Sequence, residues 1–268
     1  MKGRMKLMSI NLPPVQSHLK GLTIYFLTGK QYLYQTLFCI QSLTKHSREK
    51  LRFVLVDDGS FDEELINRIN NQLPGSVVVT QSMITQNLKN SLPEHLYPAL
   101  HHKRNVYPHI KKLTDIHTIE GSSWKLVLDS DMLFWNEPLE MIAWLKKPEK
   151  PLHMVDCDES YGYSTKLMED LCNSKIRKLI NVGAIGLKSD EINWLDIEHW
   201  VKTLEKKEGK TYYLEQALSA MIIGDSNSKI LSPEQYIVNP NRNSNGVLHH
   251  YVDLSKEFYF KLAWKKFI

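Results

Sequence analysis

Trp124-Lys125-Leu126-Val127-Leu128-Asp129-Ser130-Asp131 joins an apolar, β-prone run directly to two carboxylates one residue apart. A run of this kind reads as a buried strand that delivers its last residues to a sheet edge. Alternate residues on an extended segment point the same way, so Asp129 and Asp131 can face one hard cation. Such a cation would hold a diphosphate and stabilise it as a leaving group. An isolated Asp-x-Asp can equally be a solvated pair opening a turn. The buried strand before it, and a second acidic strand end upstream, favour the site.

That second end is Asp57-Asp58-Gly59-Ser60, which follows the apolar run Arg52 to Val56. A carboxylate there can accept hydrogen bonds from a nucleobase N–H or from ribose hydroxyls. Further out, Thr23 to Leu27 and Ser76 to Thr80 read as strands, and Tyr32 to Leu43 and Asp62 to Leu73 as helices. Strands alternating with helices predict an α/β fold with a mostly parallel, doubly wound central sheet flanked by helices. Ligands then bind at the carboxyl ends of the strands, where Thr28, Asp57, Asp58 and Asp129 stand. Pro93 to Gly121 reads as helical and is rich in His and Lys. Leu152 to Val155 and Ala184 to Leu187 read as strands, and Trp194 to Leu204 and Tyr213 to Ile223 as helices.

The 268 residues suit one large α/β domain. No linker demands a second domain: residues 21–135 are expected to form the nucleotide-binding part, 136–257 the acceptor and sugar part, and 258–268 a basic aromatic tail. A net charge of +4 suits an anionic ligand and is far from a nucleic-acid footprint. Cys39, Cys157 and Cys172 form neither a disulfide framework nor a zinc ribbon, so a reducing cytoplasm is the expected compartment. The N-terminus lacks the apolar core of a signal peptide. No apolar run approaches the roughly 18 residues of a membrane span.

Strand–Asp-Asp-Gly-Ser followed by strand–Asp-x-Asp resembles the GT-A glycosyltransferases, which adopt a Rossmann-like nucleotide-sugar-binding fold. The first half looks like family 2. By that resemblance Asp58 contacts the base, Asp129 the ribose or the metal, and Asp131 the metal. The second half is similar to family 8: Asn181-Val182-Gly183 resembles its Asn-x-Gly strand lining the sugar pocket. Glu215-Gln216 stands where that family often has Asp-Gln, and His250 to Lys256 resembles its terminal His-x-x-Gly-x-x-Lys-Pro-Trp motif. Carried over, His250 is the third metal ligand, while Lys256 and Lys112 contact the donor. Asp253 replaces the motif's Gly, Glu257-Phe258 replaces Pro-Trp, and Glu215 is one methylene longer than Asp. The resemblance implies transfer of a sugar from a nucleoside diphosphate sugar, a UDP-sugar by preference, to a hydroxyl acceptor on a glycan or other molecule.

A neutral imidazole beside two carboxylates suits a borderline cation such as Mn²⁺, with Mg²⁺ as the harder option. His250 is preferred to His249 on register, both standing as candidates. An inverting enzyme also needs a carboxylate base near the acceptor, for which Asp156, Asp158 and Glu215 are candidates. A retaining enzyme can dispense with it, and the family 8 features lean that way. The histidines His95, His101, His102, His109 and His117 fit no zinc spacing. The tail Phe258 to Ile268 is expected to pack on the body, with contact to an anionic membrane surface as the alternative.

Two other readings compete. A haloacid dehalogenase-type phosphohydrolase would use Asp129 as nucleophile, with Gly224-Asp225-Ser226-Asn227 mimicking its late acidic loop. Met132-Leu133 after the acidic pair, and Lys229 in place of a second late acid, count against it. A non-catalytic nucleotide-sugar binding module is the third reading.

Overall fold

The computed structural model describes residues 1–268. Its strands are β1 (Leu22–Thr28), β2 (Leu51–Asp57), β3 (Val77–Val79), β4 (Trp124–Leu128), β5 (Met132–Phe134), β6 (Leu152–Val155), β7 (Ile180–Lys188), β8 (Lys229–Ile230), β9 (Tyr236–Val238) and β10 (Leu248–His250). Seven of them form one sheet in the order β3-β2-β1-β4-β7-β6-β8. Both faces are covered. Ile24, Phe26, Phe53, Leu55, Leu126 and Leu128 enter one core, and the alternating Tyr25, Val54, Val56 and Val127 enter the other. Burial on both sides is why these strands read as continuous apolar runs.

The chain winds β1, β2, β3 outward through helices Leu33–His46 and Glu63–Gln72, then returns to lay β4 on the other side of β1. The strand order therefore reverses between β1 and β4, and the crevice beyond their carboxyl ends is the topological switch point. The return crosses the helical stretch expected over Pro93 to Gly121, which is broken into Pro98–Val106, a 3₁₀ turn at Pro108–Ile110, and Lys111–His117. Pro108 causes the break, because the residue before a proline is pushed out of helical geometry.

The sheet is mostly parallel, as expected, with a departure that matters. β7 runs antiparallel to both β4 and β6. Buried on nearly its whole length, it carries no sequence signal for direction. Antiparallel pairing brings the first half of β7 to the last residue of β4, with Ala184 opposite Leu128. A second sheet, β5-β10-β9, is formed from segments of three residues that lack a periodic pattern long enough to read.

The aromatic tail folds back as helix Ser255–Lys261 and the 3₁₀ turn Ala263–Phe267. Tyr259, Trp264 and Phe267 are buried in the first core, and Trp264 meets Phe38 edge-on at 5.3 Å between ring centroids. No helix is long and apolar enough to cross a membrane. Trp264 is 1% exposed and its indole N–H donates to the Phe260 carbonyl at 3.1 Å. Trp264→Ala is expected to lower the unfolding free energy by about 3–5 kcal/mol in urea denaturation.

Candidate functional site

The loop after β4 is tied down on three sides. The Asp129 N–H donates to the Gly183 carbonyl at 2.7 Å, and the Tyr251 N–H donates to the Asp131 carbonyl at 2.9 Å. Between them, the Ser130 hydroxyl meets that of Thr36 at 2.8 Å, and Thr36 meets Thr28 at 2.7 Å. This chain of hydroxyls spans the β1/β4 crevice. Thr28, expected at the cofactor edge, thus spends its buried hydroxyl on the loop's position.

β5 starts immediately after Asp131, and β10 pairs with it antiparallel, placing His250 opposite Met132. Successive strand residues face opposite ways, and the two histidines separate accordingly. The His250 Nε2 lies 3.4 Å from Asp131 Oδ1 and 3.7 Å from Asp129 Oδ2. His249 instead packs against Trp135 and Tyr251, where burial pushes its pKa down to about 4. One ligand atom from each of Asp129, Asp131 and His250 lies within 4.8 Å of the others. Two carboxylate oxygens and an imidazole nitrogen fit a divalent cation of the Mn²⁺ type.

The close approach depends on a glycine. A Cβ at Gly183 would lie 2.4 Å from His250 Cε1 and 2.5 Å from Met132 Cε. Only a residue without a side chain lets β7 pass beneath the imidazole. The Asn-x-Gly pattern therefore has a steric basis on this chain.

Lysines supply the balancing charge. The buried Lys112 sends its Nζ to within 2.9 Å of Asp129 Oδ1 and 3.5 Å of Glu215 Oε2, and donates to the Val182 carbonyl at 3.2 Å. Burial alone would lower the Lys112 pKa, but Asp129 and Glu215 reverse this and hold it above its ordinary range. Burial pushes Glu215 up to about 7 against the pull of Lys112, with Asp129 adding to the rise. Lys256 Nζ stands 3.5 Å from Asp131 Oδ2. Burial opposes ionisation of Asp131, yet His250 and Lys256 outweigh it and hold this carboxyl below its usual value. The pKa of His250 is raised, because Asp131 and Asp129 overcome the effect of its burial.

The second acidic strand end is built differently. Asp57 Oδ1 accepts from the N–H groups of Gly59, Ser60 and Phe61, so this buried carboxylate shapes the turn. Asp58 Oδ1 accepts from the N–H and hydroxyl of Ser60, and its carbonyl accepts from Lys111 Nζ at 2.6 Å. A Cβ at Gly29 would fall 2.1 Å from Asp58 Oδ1, which keeps this carboxylate hard against the end of β1.

Asp156 stands beyond β7 from the acidic pair. Its Oδ2 accepts from Asn181 Nδ2 at 3.1 Å and Gln216 Nε2 at 2.9 Å, and its Oδ1 from the Cys157 N–H. Asp158 is exposed. Asp225 bonds to Ser174 and is not in the cluster, whose third member is His250. Gln216 belongs to the Glu215-Gln216 pair noted in the sequence, whereas Thr36 has no sequence signal for this region. Thr36 sits in an ordinary helical pattern.

No protein-family model and no curated protein matches the sequence. Solved structures do match. Mouse xyloside xylosyltransferase 1 in its apo form aligns over 88% of this chain and 97% of its own, at 12% identity and a TM-score of 0.57. The galactosyltransferase LgtC, in complex with donor and acceptor sugar analogs, aligns over 91% and 93%, at 12% identity and 0.58. The glycosyltransferase GlyE of Streptococcus pneumoniae aligns over 91% of this chain and 61% of its own, at 11% identity and 0.52. The fold is therefore the GT-A type these glycosyltransferases share.

Gly183→Ala is expected to displace the imidazole and weaken Mn²⁺ binding by about 10–100-fold, read by isothermal titration calorimetry. The strain of overpacking should also cost about 1–3 kcal/mol of stability. Unchanged Mn²⁺ affinity would show that the ring can move without leaving the cluster.

Proposed function

We propose that this chain is a metal-dependent glycosyltransferase that moves a sugar from a nucleoside diphosphate sugar, preferentially a UDP-sugar, to a hydroxyl acceptor. The observation that carries this reading is the convergence of Asp129, Asp131 and His250 at the β1/β4 switch point of a GT-A-type sheet. Asp129, Asp131 and His250 would hold Mn²⁺ or Mg²⁺, which would supply positive charge against the diphosphate of the leaving nucleotide.

The chain's own residues do the rest. Lys256, half exposed at the edge of the cluster, reaches toward the outer phosphate and offsets charge as the glycosidic bond breaks. Lys112 stays behind Asp129 as a fixed ammonium and keeps that carboxylate oriented. Preorganised charge of this kind usually does more than any other effect to stabilise such a departure. Asp58 Oδ2, which no protein donor occupies, accepts the nucleobase N–H, and Asp57 holds the turn that presents it.

Two of the three candidate bases, Glu215 and Asp156, are held by protein contacts, and the third, Asp158, is exposed and lies outside the acidic cluster. Glu215 is buried against Lys112, and Asp156 is held by three protein donors. This supports retention, in which the acceptor attacks from the leaving-group face and needs no protein base. The acceptor class is a glycan or another hydroxyl-bearing molecule.

Asp131→Asn should cut transfer from a UDP-sugar by about 10²–10³-fold or more, and should abolish the Mn²⁺-dependent rise in melting temperature that a UDP-sugar produces. Wild-type turnover in this variant would refute the assignment. Mn²⁺-dependent binding by the wild-type chain without transfer or donor hydrolysis would make it a binding module instead. Product NMR should show the anomeric configuration of the donor; its inversion would require a protein base, for which the exposed Asp158 is the remaining candidate.

A further inference from the structure

The Asn181 amide has a determined orientation. Its Oδ1 accepts from the Gly183 backbone N–H at 2.9 Å, and a backbone N–H can only donate. Its Nδ2 donates to Asp156 Oδ2 at 3.1 Å, and a carboxylate can only accept. Each end of the amide is thus identified by a partner of unambiguous role. The same Asn181 Oδ1 lies 3.1 Å from His250 Nδ1. Facing an oxygen, that nitrogen must carry the proton.

The consequence falls on the other side of the ring. In a neutral imidazole with Nδ1–H, Nε2 bears the lone pair, and Nε2 is the nitrogen turned toward Asp131 and Asp129. A lone pair facing two carboxylates calls either for a second proton on the ring or for a cation between them. Were the Asn181 amide reversed, its NH₂ would face Nδ1, the proton would move to Nε2, and the ring could not ligate. Asp156 opposes that reversal, and Gln216 fixes Asp156 in turn by donating to both Asp156 Oδ2 and the Ile180 carbonyl at 2.9 Å.

We propose that Asp156 is a positioning residue for the metal site: through Asn181 it locks His250 in the Nδ1–H tautomer and aims Nε2 at the cation. This rests on the metal-site reading above, and it gives Asp156 a role other than the acceptor base considered from the sequence. Outer partners that orient a ligating histidine typically contribute about 10–100-fold to metal affinity. Here the outer partner is a carboxylate acting through an amide on a neighbouring strand.

The test is calorimetric titration of Mn²⁺ into donor-free protein, with wild type, Asp131→Asn, Asp156→Ala, Asp156→Asn and Asn181→Ala compared. Asp156→Ala and Asn181→Ala should bind Mn²⁺ about 10–100-fold more weakly. Asp156→Asn should stay near wild type, because its amide oxygen can still accept from Asn181 and Gln216 at the expense of the exposed Cys157 contact. Turnover by Asp156→Ala should recover toward wild type at saturating Mn²⁺, which loss of a general base would not allow. If Asp156→Ala fails to fold, Asn181→Ala carries the same comparison. Wild-type Mn²⁺ affinity in Asp156→Ala, or in Asn181→Ala where that variant stands in, overturns the proposal. So does an Asp156→Asn protein that binds Mn²⁺ normally and has lost turnover. Absence of Asp131-dependent Mn²⁺ binding in the wild type would instead remove the metal site itself, and this inference with it.

Discussion

Asp129 and Asp131 crowd two negative charges into a crevice where their side chains keep 29% and 19% of their exposure. Like charges that close raise one another's pKa unless positive charge intervenes. Most of what surrounds them answers that constraint. Lys112 comes from the helix before β4, His250 from β10, and Lys256 from the first turn of the C-terminal helix. Each arrives by a different route, so the second sheet and the folded-back tail bring two of the three nitrogen groups, one from His250 and one from Lys256, to the end of β4. Removing Asp129 would leave the buried Lys112 ammonium with Glu215 as its remaining carboxylate partner.

The antiparallel direction of β7 has the same logic. A parallel strand beside β4 would put its own carboxyl end at the crevice. By running the other way, β7 offers its first residues instead, so that Gly183 gives room to the imidazole and Asn181 binds it. Steric need at one residue and hydrogen bonding at the next but one are satisfied by one strand.

Much of this was legible from the sequence. Asp129 and Asp131 could be read because a buried strand and a period of two fix where both carboxylates point. Motif resemblance and ligand chemistry point to His250, and the pairing of β10 with β5 separates it from His249. Asp57 and Thr28 illustrate the limit: both stand at the expected edge, but hydrogen bonds within the chain use their side chains to hold loops. On the sequence Asp156 is a candidate base, and only the structure reveals the three donors that hold its carboxylate. The small sheet escaped because three-residue strands carry no periodicity, and the direction of β7 because burial on both faces erases the pattern.

The proposed function requires Asp129, Asp131 and His250 to form one cation site. Crystals of the wild-type chain soaked with Mn²⁺ and measured at the manganese absorption edge test it most directly. The expected result is an anomalous peak bonded to oxygens of both aspartates and to Nε2 of His250. A peak elsewhere, or one that His250 does not touch, would contradict it.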